Sequence, residues 1–289
     1  MDTGKTLQLA IKLQMRQWQT VFAKQAQLTV QGDDPEPVHQ LRVLLRHLDA
    51  MLQIFKSWID KDQRQALAKE LDWLMAELGQ SRDWAVFCDS LLPKLLLAHP
   101  KVDAQYCLTQ AQMKAASHQV QLRLALNSPR FVLLQQAIAQ LGKQLGVSIT
   151  DEASEIKRMM QLLERGDKKL RSKLHQLDSL TMRQLHQRRI DIKQQRYLAV
   201  VVQGLLPQNH LNEHYSATLA MLQSLLGHLQ DMAVAKKLFQ QLLDARSARR
   251  DASTLVRETF KKSRQKLFKH LAKAEAQFKT TGLVVEALA

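Results

Sequence analysis

A helical face that carries histidine and arginine, and that occurs twice, constrains this chain more than any other feature. The first copy is His39-Gln-Leu-Arg42-Val-Leu-Leu-Arg46 and the second is His186-Gln-Arg-Arg189-Ile-Asp-Ile-Lys193-Gln-Gln-Arg196-Tyr197. At about 100° per residue, His39, Arg42 and Arg46 fall within an arc of roughly 60°. Leu41, Leu44, Leu45, Leu48 and Leu52 cluster on the opposite side. His186, Arg189, Lys193 and Arg196 fall within about 80° by the same rule. The back of the second copy is less apolar, because Arg188 and Gln195 stand where apolar residues are expected. Each copy therefore predicts a helix with an oily side in a core and a cationic side turned to something anionic.

A second pair of segments repeats with almost the same spacing. Leu78-Gly79-Gln-Ser-Arg82-Asp83-Trp-Ala-Val86 aligns with Leu226-Gly227-His-Leu-Gln230-Asp231-Met-Ala-Val234, 148 residues on, while His39 and His186 lie 147 apart. Two motifs with one offset point to a duplication, and a period near half the chain is not that of a solenoid. The expectation is one domain over residues 1–289, made of two repeats at about 1–148 and 149–289. The simplest architecture is all-α, with two tandem helical bundles of four-helix type related by a pseudo-twofold axis. The two cationic faces then meet at a basic central groove.

Composition agrees with helix and with an anionic partner. Nine glycines and six prolines are few for 289 residues, and Leu, Gln, Ala, Lys and Arg dominate. No period-two strand run is bounded by turns. Lys plus Arg outnumber Asp plus Glu by 42 to 27, a formal charge of +15, which speaks to partners and solubility rather than to fold. Two cysteines, Cys88 and Cys107, make neither a disulfide framework nor a zinc site and read as free thiols of a reducing compartment. The N-terminus lacks the layout of a signal peptide. The longest apolar runs, 91–98 and 198–206, are broken by Pro93-Lys94 and Gln203-Gly204, so no membrane span is expected. A soluble, cytoplasmic protein is the expectation.

Punctuation residues divide the chain into helices at about 6–28, 37–58 (opened by Pro37), a third ending at Gly79, and a fourth capped by Asp83. Others follow from about 103 to 126 and from Pro129 to 145. In the second half the helices run from 152 to about 163, with Gly166 and a basic stretch after it, then 182–206, 211–226, 233–243 and 251–278.

The four motifs together resemble the CHAD family, the histidine-centred α-helical domain. The resemblance spans nearly the whole chain. It implies an all-helical fold of two four-helix-type bundles and binding of inorganic polyphosphate in a basic central channel. Such domains often accompany a triphosphate-tunnel β-barrel, and no segment here is left to form one, so a stand-alone binding domain is expected. Two departures stand out. His47 follows Arg46 where the family usually continues with arginines, and Asp49 takes the place of Arg196 in the second copy. An acid there repels phosphate or pairs with an arginine, and Lys56 is the candidate to extend the track in the first half.

The chemistry of the candidates follows from their types. Arginine's planar fork engages two phosphate oxygens at once, and lysine adds a mobile charge. His39 and His186 donate a hydrogen bond when neutral or become charged beside phosphate. The polyphosphate-binding set is His39, Arg42, Arg46, Lys56, Arg82, His186, Arg189, Lys193, Arg196, Tyr197 and Lys262. Asp83 and Asp231 are assigned to capping and to holding Arg82 and other cations. Lys114, His118, Arg130, Lys266, Lys269 and the run Arg246-Ser-Ala-Arg249-Arg250 are weaker candidates. No cofactor is expected. Polyphosphate granules are a compatible location.

Nucleic acid is the main alternative, bound nonspecifically through its backbone. Single-strand binders interleave aromatic rings with cations, whereas only 5% of this chain is aromatic and Tyr197 is the one ring inside either motif. A membrane-surface role is weaker, since the basic faces lack flanking insertion residues. Catalysis is not expected. His210-Leu-Asn-Glu213-His214 fits a His-x-x-Glu-His zinc pattern but follows Pro207-Gln-Asn with no third ligand in view. A histidine-dependent phosphate-ester enzyme would want an acid paired with a histidine, or a glycine-rich phosphate loop, and neither is apparent.

Overall fold

The computed structural model describes residues 6–145, 151–206, 212–243 and 248–283. Within them the chain is all-α, with no strand. The first half of the chain holds α1 (Thr6–Gln31), α2 (Pro35–Ile54), α3 (Lys61–Val86), α4 (Leu92–Ala98), α5 (Ala104–Leu126) and α6 (Pro129–Leu145). The second holds α7 (Glu152–Lys173), α8 (Met182–Leu205), α9 (Glu213–Leu242) and α10 (Ala248–Thr280). A π-helical turn, Phe87–Leu91, carries α3 into α4, and a 3-10 turn, Leu177–Ser179, precedes α8.

Several expected helix ends are not ends, and glycine is the common reason. α3 runs through Gly79 to Val86, so Gly79 is not a C-cap and Asp83 is not an N-cap. α7 runs through Gly166, and α9 is one helix across Gly227 where two were expected. A single glycine costs a helix interior only about 1 kcal/mol, which tertiary packing overrides. α2 begins earlier than expected, at Pro35, with the Asp34 carboxylate accepting from the Glu36 N–H at 2.9 Å. It also ends earlier, at Ile54, whose carbonyl accepts from the Arg158 guanidinium. Pro93 falls in the first turn of α4, where its missing N–H leaves no partner unsatisfied.

The apolar cores do not divide along the repeat. One joins α1, α2, α3 and α6 to Met159 and Leu163 of α7 and to Leu198, Val202 and Leu205 of α8. A second packs Trp84, Phe87, Leu92 and Cys107 against Ala235, Phe239 and Phe260. The third lies within the second half, around Leu177, Tyr215, Leu222, Leu271 and Phe278. Each fully buried Leu or Phe contributes about 1.5–3 kcal/mol relative to exposure, so these shared cores bind the halves together. Cys88 and Cys107 are free thiols, and burial pushes both upward in pKa. No described helix is long and apolar enough to cross a membrane. Because α2 packs directly on α8, the two repeated cationic faces are brought side by side.

Candidate functional site

Each basic face stands on a helix whose register is locked from behind. Leu41, Leu44, Leu45, Leu48 and Leu52 of α2 are all buried. α8 opens with a reciprocal cap: the Thr181 N–H donates to the Gln184 amide oxygen at 2.9 Å, and the Gln184 N–H donates to the Thr181 hydroxyl at 3.3 Å. The two polar residues on the back of α8 are accommodated. Gln195 is buried and donates to the Leu163 carbonyl at 3.0 Å and to the Tyr215 hydroxyl at 2.9 Å. Arg188 donates to Asp191 at 3.1 Å.

Between these helices and α3 and α9 lies a cavity of about 290 Å³. Seven of the candidate residues line it: His39, Arg42, Arg46, Arg82, Arg189, Lys193 and Tyr197. His186 lines a smaller hollow of about 170 Å³, which has Arg46, Arg189, Lys193 and Tyr197 in common with the first. Its Nδ1 is 2.8 Å from the Gln230 amide oxygen. Arg196 donates to Gln223 at 3.3 Å and stands behind the lining. Two candidates lie elsewhere. Lys56 is exposed beyond the end of α2, and Lys262 is exposed on α10, neither lining these hollows.

The weaker candidates are dispersed. Arg130 is paired with Glu70 at 2.6 Å and lies 4.1 Å over the Trp73 ring. His118 stacks on Trp84 at 6.2 Å, and Lys114, Lys266 and Lys269 are exposed. The side chains of the 246–250 run lie outside the described residues, as does His210 of the zinc-like pattern. Glu213 and His214 open α9, capped by Asn212.

The Leu-Gly-x-x-x-Asp segments explain themselves once placed. Arg42 crosses α3 at Gly79, with Nη1 only 3.1 Å from where a Cβ would stand. Asp83, one turn on, is the carboxylate that acts electrostatically on Arg42. Arg189 crosses α9 at Gly227, with Nε 3.9 Å from the corresponding point, and Asp231 is its opposing charge. Gly79 thus leaves room for the Arg42 guanidinium, which donates to the Met75 carbonyl at 3.5 Å, while Gly227 lies at ordinary contact distance from Arg189. Both carboxylates line the cavity, and burial raises the pKa of each against the pull of the arginines. Neither aspartate caps a helix, since Asp83 lies inside α3 and Asp231 inside α9.

Cations outnumber anions on the lining by five to two. The Nε atoms of Arg46 and Arg189 are buried and have no hydrogen-bond partner among the described residues. The Nε atoms of Arg64, Arg123 and Arg188, away from this cavity, are unpaired in the same way, so these two donors do not by themselves mark a site. Burial, followed by the neighbouring charges of Arg46 and Arg189, holds Arg42 below the usual guanidinium range. Lys193 is lowered to about 7, first by burial and then by Arg46, Arg189, Arg42 and Arg196. Like charges this close repel one another, and the two carboxylates of the lining offset that only in part.

Tyr197 is fixed by a layer that sequence reasoning did not anticipate. Its ring meets His47 edge-on at 5.4 Å, and His47 stacks on Trp18 at 5.3 Å. Burial, with Arg196 nearby, pushes His47 down to about 4, so this imidazole is neutral at pH 7 and serves as a wall. Asp49, the acid that interrupts the basic track, faces the smaller hollow. Arg46 is its nearest opposing charge, and burial raises its pKa.

Comparison with known proteins places this arrangement. The model of the CHAD domain family matches residues 10–240. No curated protein matches the chain. Among solved structures, the crystal structure of the CHAD domain from the plant Ricinus communis is similar at 23% identity and a TM-score of 0.70, covering 98% of this chain and 95% of that one. PptA from Streptomyces chartreusis is similar at 17% identity and a TM-score of 0.65, covering 94% and 97%.

Proposed function

Because this chain belongs to the CHAD domain family, we propose that it is a non-catalytic binder of inorganic polyphosphate, taken up where α2, α3, α8 and α9 meet. The family is known for polyphosphate binding, and the features of this site support the same reading for this chain. The observation that carries it is the gathering of five cationic donors, Arg42, Arg46, Arg82, Arg189 and Lys193, on one cavity lining that holds only two carboxylates. Phosphate oxygens satisfy such donors with charge-assisted hydrogen bonds. The repeats at 1–148 and 149–289 act as one binding unit, since both contribute to the lining, nine residues from the first and six from the second. A soluble cytoplasmic protein that meets polyphosphate free or in granules fits this reading.

A nucleic acid needs more than cations. Tyr197 is the one aromatic ring on the lining, and a stacking ladder for bases requires several. Hydrolysis needs an activated nucleophile. His186 is held by the amide of Gln230 rather than by a carboxylate, an arrangement that orients the ring without making it a stronger base.

The test is a titration of long-chain polyphosphate against length-matched single-stranded RNA at near-physiological salt. An Arg42→Ala/Arg189→Ala variant, with its fold checked by circular dichroism, is run beside the native chain. Preference for polyphosphate that the variant loses, with no phosphate released, is the expected result. Equal or tighter RNA binding moves the site to nucleic acid. Phosphate release by the native chain makes it an enzyme.

A further inference from the structure

We propose that the anion path does not end at the central cavity but continues over α7, where Arg165, Lys169 and Lys173 form a second segment for distal phosphates of the same chain. This rests on the polyphosphate reading above and extends it to ligand length.

Continuity comes from the walls. The hollow beside His186 opens from the central cavity across Arg46 and Lys193 and reaches Gln53 and Gln194 at its far side. The same two glutamines line the next hollow, of about 260 Å³, between α7 and α8. Arg165, Lys169 and Lys173 form its outer wall. At i, i+4 and i+8 they share one helical face and span about 12 Å.

The cations of this segment are largely unspent. Arg165 and Lys169 are exposed and have no ion-pair or hydrogen-bond partner among the described residues. Lys173 lies 3.1 Å from Asp191, but that carboxylate is divided with Arg188, also at 3.1 Å. Of the other acids of α7, Asp167 is tied to Arg171 at 2.7 Å and Glu155 to Arg158, and exposed Glu164 does not line the hollow. Three cations against one divided carboxylate leave the wall positive.

The segment is also concave and built, unlike an ordinary solvated face. Its floor is Gln195, whose amide nitrogen is committed to Leu163 and Tyr215. That side chain fits only because residue 166 is glycine, since a Cβ there would stand 2.0 Å from the Gln195 oxygen. Gln53 and Gln194 add neutral amide donors between the two basic segments. A linear anion leaving the central cavity therefore meets amides and then a second set of cations.

The inference separates ligands by length. Tripolyphosphate is short enough for the central cavity alone, whereas a long chain engages both segments. The test uses the full chain with Arg165→Gln/Lys169→Gln/Lys173→Gln, titrated with tripolyphosphate and with long-chain polyphosphate across a salt series. A matched variant, Lys261→Gln/Lys262→Gln/Lys266→Gln, removes the same charge from exposed positions on α10. The α7 variant should bind tripolyphosphate unchanged and the long chain roughly tenfold more weakly. Its salt slope should fall by about 1.5–2, the share of two to three phosphate contacts. The α10 variant should show no such length dependence. Equal loss for both ligands, no loss for either, or the same length-dependent loss in the α10 variant overturns the α7 segment. The Arg42→Ala/Arg189→Ala variant separates the two readings. If it still binds tripolyphosphate like the native chain, the central site itself has failed, whatever the α7 variant does.

Discussion

Lys193 stands where an anion would matter most. Around it are Arg42 and Arg46 from α2 and Arg189 and Arg196 from its own helix, with Asp83 of α3 and Asp231 of α9 on the same cavity wall. Burial and the four arginines pull its ammonium from 10.5 to about 7. A bound polyphosphate reverses the balance of charge, so the lysine takes up a proton as the ligand enters. If the ordinary value is fully restored in the complex, affinity is nearly flat below pH 7 and then falls about tenfold per pH unit. Between pH 7 and pH 9 the weakening is about 50-fold, or about 2.3 kcal/mol. The perturbation is Lys193→Arg, which keeps the charge and removes the titration. Calorimetry at pH 8, where ordinary imidazoles are already neutral, is run in two buffers of different ionisation heat. The native chain should take up about 0.9 proton per site, and the arginine variant should lose that uptake. Equal uptake by both proteins, or affinity that does not fall between pH 7 and pH 9, refutes the assignment.

Three further outcomes follow from named contacts. The unfolded chain holds the Lys193 proton up to about 10.5 while the folded chain sheds it above about 7, so ligand-free stability from this group rises with pH through that window. Thermal denaturation should show the rise in the native chain and less of it in Lys193→Met. Gly79→Ala places a Cβ 3.1 Å from the Arg42 guanidinium, whereas Gly227→Ala leaves 3.9 Å to Arg189. Each should gain up to about 1 kcal/mol of helix stability in urea denaturation, but only Gly79→Ala should weaken polyphosphate binding several-fold. Gly166→Ala drives into the Gln195 amide and should cost about 2–3 kcal/mol, read as a lower denaturation midpoint with unchanged slope.

Much of this molecule was legible from periodicity and repetition. The α-only fold, the cationic faces of α2 and α8 and their meeting all follow from residue spacing plus the need to bury Leu41, Leu45 and Leu48. Glycine misled in a consistent way: Gly79, Gly166 and Gly227 look like helix stops but lie inside helices, and Gly79 and Gly166 are seats for Arg42 and Gln195. That distinction is tertiary, because only a crossing side chain tells a seat from a stop. Lys56 shows the limit of a helical wheel, which assigns a direction but not the residue at which a helix ends; α2 stops at Ile54. Lys262 has the right spacing with Lys266 and Lys269, yet α10 turns that side to water. The neutral His47 wall behind Tyr197 is invisible in sequence, since nothing local marks Trp18 as its neighbour.

The paired crossings of Arg42 at Gly79 and Arg189 at Gly227 bear on polarity. A nucleic acid strand has a beginning and an end, and a site for it must choose between them. Linear polyphosphate reads the same from both ends. On the proposed reading, a site to which both halves contribute would receive such a polymer in either sense, which alone would favour association by about 0.4 kcal/mol through doubled orientations. On the proposed reading any internal stretch would serve as well as a terminus, so such a site would take hold of a chain in its middle. The unequal crossings, 3.1 Å against 3.9 Å, and the one-sided basic wall of α7 then decide how far that equivalence extends.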